Sequence, residues 1–361
     1  SGKPDLALET FLKGRSMVPD NNFGFDIAEL YGRKGETQKM IDEYLDIMTE
    51  NTMFQANVQS VLQYKLSQDS DSNLANLLRL SLLRKIQREP SQLIYSEFLY
   101  WLFMQEKDFE SALIQAKALD KKTGDTGNRI YSLGEICISN QAWTTAEKCF
   151  DYIVAKGSSH PLYIRAKIAM LSAAFEKTTE SHYTQAELLT LEKQFTETLQ
   201  ELGRNSITAP LMVKQAQLEA FYLDKVAEGR RILEEVIAMP ALSPNYIAEV
   251  KLALGDIMIL DGDLWEASLT YSQVDKDFKH DAIGREAKFR NARLSYYLGE
   301  FEWAAAQLNV LKQATSQLIS NDALDLALLI SDNIGDDSIT EPLQIYSRAE
   351  LHAFQHKNDL A

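Results

Sequence analysis

Apolar residues recur along the chain at helical spacing, in stretches separated by short polar breaks every 15 to 20 residues, and strand-like alternation is almost absent. This pattern predicts helix, turn, helix from end to end. The breaks carry turn chemistry: Lys34-Gly35-Glu36, Asp69-Ser70-Asp71, Glu106-Lys107-Asp108, Asn140-Gln141, Leu223-Asp224-Lys225, Asp261-Gly262-Asp263 and Leu298-Gly299-Glu300. Helices with a small residue early and an aromatic or aliphatic residue four positions on recur as Ala7/Phe11, Met40/Tyr44, Ala112/Ala116, Ala146/Phe150, Gly229/Leu233, Ala267/Tyr271 and Ala304/Leu308, with Met40 the outlier in size. Subtracting the first positions gives steps of 33 (7 to 40), 72 (40 to 112), 34 (112 to 146), 83 (146 to 229), 38 (229 to 267) and 37 (267 to 304). The 72 and 83 are double steps. The first holds a degenerate unit with helices near Gln59 to Leu66 and Leu74 to Arg88, ended by Pro90. The second holds a longer one, with helices near Pro161 to Lys177 and Gln185 to Leu202.

A period near 34 with small and aromatic residues at fixed offsets resembles the tetratricopeptide repeat. In window 127–160, Ile130, Leu133, Gly134, Cys137, Ala146, Phe150 and Ile153 stand at the family's pattern positions. Window 248–281 matches through Leu254, Gly255, Met258, Ala267, Tyr271 and Val274. Two antiparallel helices touch most closely where side chains are smallest, so Gly134 is expected opposite Ala146 and Gly255 opposite Ala267, with Phe150 and Tyr271 filling the neighbouring space. The resemblance implies an all-α, TPR-like superhelical solenoid of antiparallel helix pairs, with a concave face made mainly by the first helices. Repeats are expected over 1–160, the first partial and 55–92 degenerate, then an irregular extended helix pair over 161–209, then repeats over 210–361 with the last ones degenerate.

Composition narrows the partners. Lys plus Arg is 37 against 52 for Asp plus Glu, a net charge of −15, and such a surface repels nucleic-acid phosphates and anionic lipid. The longest weakly charged stretch, Leu93 to Gln105, contains Glu97 and falls short of the about 20 apolar residues of a membrane span. No nucleic acid and no direct membrane insertion are therefore expected. Cys137 and Cys149 form neither a disulfide framework nor a metal motif, which leaves a cytoplasmic or periplasmic setting open, with a signal peptide removed in the second case.

The chain also lacks the motifs of catalysis. There is no GxGxxG, GxxxxGK[ST] or GxSxG, and Cys137 falls at a packing position, so no catalytic residue and no cofactor are expected. His352 and His356 are four apart with Glu350 nearby, a spacing that lets two imidazoles meet one metal, but a third ligand is not evident and solvated helix-end residues are the plainer reading. Asp336-Asp337 and Asp261/Asp263 read as solvated turns, and no metal site is expected.

The resemblance places Glu97, Trp101, Tyr131, Glu135, Lys214, Leu218, Phe289, Arg293 and Tyr296 towards the concave side, with Phe221 and Tyr222 close by. The Lys and Asn of a carboxylate clamp are not at these offsets. Trp101, Tyr131 and Phe289 could equally pack repeat on repeat, and Lys214 and Arg293 are expected to be the more exposed contacts. The segment from Arg285 to Leu311, with Lys288, Phe289, Arg293, Tyr296, Tyr297, Phe301 and Trp303, is the most aromatic of the chain. The expected function is a non-catalytic scaffold or adaptor holding a peptide or helix of another protein. The alternatives are a bacterial envelope or secretion-complex scaffold that uses outer surfaces and, last, a catalytic or enzyme-accessory domain. Ala7, Phe11 and Pro19 read as a second helix without a first, and Leu351 and Phe354 are apolar where a capping helix would be polar, so a fragment with exposed apolar ends is expected.

Overall fold

The computed structural model describes residues 4–18, 23–69, 73–180, 182–311, 317–334 and 340–361. Among these residues every regular element is helical. The chain forms two compact units, 1–166 and 167–361.

The first unit contains α1 (Pro4–Met17), α2 (Gly24–Arg33), α3 (Thr37–Glu50), α4 (Gln55–Ser67), α5 (Asn73–Arg88), α6 (Leu93–Gln105), α7 (Phe109–Thr123), α8 (Asn128–Ser139) and α9 (Trp143–Val154), and ends inside α10 (Tyr163–Glu180). Helices α2 and α3, α6 and α7, and α8 and α9 pair closely, whereas α5 packs on α3 and α6 and touches α4 little. The degenerate window is thus helical but contributes no tight hairpin. Pro19, Ser70, Asp71 and Asp336-Asp337 lie outside the described residues.

The second unit continues with α11 (Gln185–Leu202), α12 (Ala209–Tyr222), α13 (Val226–Ile237), α14 (Pro244–Asp261), α15 (Leu264–Asp277), α16 (Ala282–Tyr297), α17 (Phe301–Leu311), α18 (Gln317–Asn333) and α19 (Glu341–Phe354). Pairs α12/α13, α14/α15 and α16/α17 repeat the hairpin, and α12, α14 and α16 lie side by side as the first helices of successive pairs.

One turn closes all six hairpins. A single residue takes positive φ: glycine at Gly35, Gly262 and Gly299, but Lys107, Gln141 and Asp224 in the other three. In five, the next N–H donates to a carbonyl five residues back at 2.8–2.9 Å (Glu36 to Tyr31, Asp108 to Phe103, Ala142 to Cys137, Asp263 to Met258, Glu300 to Ser295), and Lys225 reaches back six to Glu219 at 2.8 Å. These bonds satisfy carbonyls that the helix end would otherwise leave bare.

Packing inside the hairpins brings the expected rings onto the glycines. Ala146 and Ala267 are fully buried. A Cβ at Gly134 would stand 2.6 Å from the Phe150 ring, and one at Gly255 would collide with the Tyr271 ring. The ring four residues beyond the alanine lies across the glycine, so each close approach is filled by an aromatic edge. Met40 follows the same logic, because its sulfur occupies the space above Gly32, 2.9 Å from where a Cβ would sit.

The C-terminal end departs from expectation. Leu351 is buried in the core of the second unit and Phe354 packs against that core. The cause is the course of α19, which packs on α16 and touches its chain neighbour α18 only slightly. At the other end Leu12 is exposed, while Phe11 packs on Phe23 with ring centroids 5.6 Å apart.

Candidate functional site

In the first unit the first helices α6 and α8 are joined by the Glu97–Arg129 pair at 3.3 Å, with the Arg129 guanidinium also over the Tyr100 ring at 5.6 Å. Trp101, one turn beyond Glu97, is half-buried and packs on Phe98 at 4.8 Å. Tyr131 is half-buried, edge-on to Phe150 at 5.5 Å and beneath Arg165 at 4.6 Å. Glu135 is exposed. Phe98 of the same helix covers part of Trp101, Phe150 of the same hairpin and Arg165 cover part of Tyr131, and the remainder of each ring is accessible.

In the second unit the equivalent face is occupied. Helix α19 packs on α16, and its C-terminal end, with Phe354 and the following Gln355 and His356, reaches α12 and α14. The Tyr296 hydroxyl donates to Glu350 Oε2 at 2.6 Å, and Gln355 Nε2 donates to the main-chain carbonyl of Ile259 at 2.8 Å. Phe354 meets Phe221 at 6.2 Å, Tyr297 at 6.4 Å and the Arg293 guanidinium at 5.9 Å, and His356 meets Phe221 at 6.3 Å. Burial, then the Glu350 carboxylate, push the Tyr296 hydroxyl well above the ordinary phenol range, so it stays a proton donor.

The predicted residues of this unit thus divide. Phe221 and Arg293 touch α19. Tyr296 also touches it: at 1% exposure its ring is core, and its hydroxyl is the group that meets Glu350. Phe289 is half-buried against the core formed with α17 and α18, with Arg293 over its ring at 5.9 Å. Leu218 is fully buried. Lys214 is not an exposed contact: it pairs with Glu176 and lies over the Phe175 ring at 4.9 Å. Tyr222 joins that cluster, 6.0 Å from Phe175 and 5.6 Å from Tyr183. Of the two expected free cations only Arg293 lacks an ion pair among the described residues.

Two networks, one half-buried and one buried, escaped the sequence reading. Asp256 accepts from the Tyr271 hydroxyl at 2.7 Å and pairs with Arg290, which also binds Glu286 at 2.7 Å. Asp120, 5% exposed, accepts from Tyr152 (2.8 Å), Lys156 (2.6 Å) and the Gly127 N–H (3.1 Å). Burial opposes its ionisation, yet the Lys156 ammonium and the Tyr152 hydroxyl outweigh it and hold the carboxyl below its ordinary range. Both acids bridge neighbouring helices. An acid following a pattern glycine, as Asp256 follows Gly255, was the available signal.

No group of three or more His, Cys, Asp or Glu side chains able to hold a metal occurs among the described residues. His352 and His356 do not share a helix face, because α19 ends at Phe354 and His356 has φ +58°. Cys137 and Cys149 are fully buried. Among the described residues no helix is long and apolar enough to cross a membrane.

No family model and no curated protein matches the chain. Among solved structures it is similar to a thermophilic TPR protein of Thermus thermophilus (16% identity, 55% of this chain and 96% of that one, TM-score 0.40). It is similar also to a signal-transduction ATPase with a tetratricopeptide repeat sensor from Pyrococcus horikoshii (12%, 94% and 53%, TM-score 0.45) and to NprR in complex with its cognate peptide NprX (14%, 88% and 98%, TM-score 0.42). The fold is tetratricopeptide-like. Its own hairpins carry the pattern: one turn closes all six, and α8/α9 and α14/α15 add a glycine in the first helix with an alanine and a ring in the second. The tetratricopeptide-like repeats present a face of first helices in each unit, accessible at Tyr131 and Glu135 in one and covered by α19 in the other.

Proposed function

We propose that the chain is a non-catalytic scaffold that holds a peptide or a helix of another protein on the face made by its first helices. The observation that carries this reading is α19: the first-helix face of the second unit already holds a helix, through aromatic contacts, a tyrosine hydroxyl and a main-chain carbonyl. Binding a helix in a groove needs a few anchoring side chains at helical spacing, and Glu350, Phe354 and Gln355 provide them here. The corresponding partner in the first unit would meet Trp101, Tyr131 and Glu135.

A second reading has the outer surfaces join a larger complex. It is favoured by Trp265, 79% exposed, and Trp303, 62% exposed, both near the starts of second helices. One experiment separates the two. Photo-crosslinking residues placed singly at Glu135 and at Trp265 should give partner crosslinks from Glu135 on the first reading. Crosslinks from Trp265 alone would replace it with the second.

A further inference from the structure

We propose that α19 is a displaceable resident ligand of the second unit's first-helix face, and that the partner which replaces it is a helix carrying a carboxylate, an aromatic residue four positions later and an amide side chain immediately after. This deepens the scaffold reading above and rests on it.

The groove asks for those three groups. The buried Tyr296 hydroxyl needs an acceptor and finds the Glu350 carboxylate. The Ile259 carbonyl takes a second donor, the Gln355 amide, in a buried bond between residues 96 apart in sequence. Phe221, Tyr297 and Arg293 surround one ring, that of Phe354. A carboxylate and a ring at i and i+4 project from one side of a helix, so any helix with this spacing can present both at once. Arg293 makes no direct ion pair among the described residues: it lies over the Phe289 and Phe354 rings and feels the Asp256 carboxylate only at longer range. A competing helix with one more acidic residue beside its ring would satisfy that cation where α19 does not, which gives it an advantage over the resident.

Helix α19 is also built to leave. Its polar anchors are few, its contact with α18 is slight, and Ile345 and Tyr346 on it are 65% and 52% exposed. The ring distances of 6.2–6.4 Å lie at the loose end of the 4.5–7 Å range typical of aromatic pairs. Departure would expose Tyr296 and the Ile259 carbonyl to water, which can bond to both. Leu343 and Leu351 of α19 are buried as well, so its release is a local opening that uncovers two aliphatic side chains besides the Phe354 ring. While α19 occupies the face, a partner binds only the open fraction, and its apparent affinity falls by that fraction.

The probe is a fluorescently labelled peptide of residues 341–357, titrated into the full chain by anisotropy. Wild type should bind it at least about tenfold more weakly than Phe354→Ala/Gln355→Ala, in which the resident helix has lost two of its three anchors. Adding Arg293→Glu to that double variant should abolish binding. In wild type, amides of α19 should exchange with deuterium at least about a hundredfold faster than those of α14. If the double variant does not fold by circular dichroism, the exchange measurement decides alone. Exchange of α19 as slow as that of α14, or a folded double variant that binds the peptide no better than wild type, would overturn the proposal. A partner that crosslinks from Glu135 and binds wild type and double variant equally would remove this inference while leaving the scaffold reading in place.

Discussion

The first-helix faces of the two units are made by the same rule and end in different states. On α6 and α8, Trp101 and Tyr131 keep part of their rings free and Glu135 is exposed, whereas on α12, α14 and α16 the matching surface lies under α19. The difference does not come from the hairpins, since both units use the glycine-under-ring packing of Gly134 with Phe150 and Gly255 with Tyr271. It comes from whether a segment with the right side chains returns to the face. A repeat surface of this kind is defined by its hairpins, and its availability is set by chain outside them.

The largest effect should come from the feature the units share. Gly134→Leu and Gly255→Leu each drive a side chain into an aromatic ring that cannot retreat, and should cost about 3 kcal/mol or more. Asp263→Asn, at a half-exposed turn position paired with Arg230, should stay within about 0.5 kcal/mol in the same denaturant titration. Equal losses would show that the shared packing does not hold the hairpins.

Next comes a contrast in pH dependence. The Asp120 carboxyl is held below its ordinary range, so its stabilisation is present above that range and fades as pH falls through the lowered value. Asp120→Asn should cost about 2 kcal/mol at neutral pH and nearly nothing in acid, when followed by chemical denaturation. In the second unit Glu219 behaves oppositely. Its side chain is buried with one oxygen lacking a hydrogen bond, and burial, then the Glu192 carboxylate, raise its ionisation above the ordinary range despite Lys225. Its contribution is intact below the ordinary carboxylate range and lost as pH rises through the raised value. Glu219→Gln should therefore stabilise by about 1 kcal/mol at neutral pH and change nothing near pH 4. The same sign for both variants would erase this distinction between the units.

The smallest stability effect should be on the open face. Tyr131→Ser should alter the melting temperature little, because the ring is only half-buried, yet weaken a partner that crosslinks from Glu135 by about tenfold. A large stability loss with unchanged binding would assign Tyr131 to packing between repeats.

Hairpins are legible in the sequence because helical spacing, turn residues and the small-then-aromatic pairs are all local. Even the double steps hold helices, as α4, α5, α10 and α11 show. What is not legible depends on partners distant in sequence. Tyr296 stands at a groove offset, but Glu350, 54 residues away, turns its hydroxyl into a docking point while the core takes its ring. Lys214 reads as a surface cation until Glu176 and Phe175 are placed beside it. The apolar residues of α19 look like an unfinished end because its return to α12, α14 and α16 leaves no mark in its own sequence. Gly134 and Gly255 show in the sequence as contact points with Phe150 and Tyr271 beside them, but that each ring lies directly across its glycine does not, since the spacing of a ring does not say which way it lies.

The turn that closes the hairpins also bears on how such a chain can arise and diverge. Its stop is made by main-chain bonds and one backbone angle, and Lys107, Gln141 and Asp224 hold that angle as Gly35, Gly262 and Gly299 do. Outside glycine the angle carries a modest strain, on the order of 1 kcal/mol, which a packed hairpin tolerates. A hairpin of this kind can therefore exchange its glycine for another residue and keep its shape, so its corner is held by main-chain geometry and not by any one letter of the sequence.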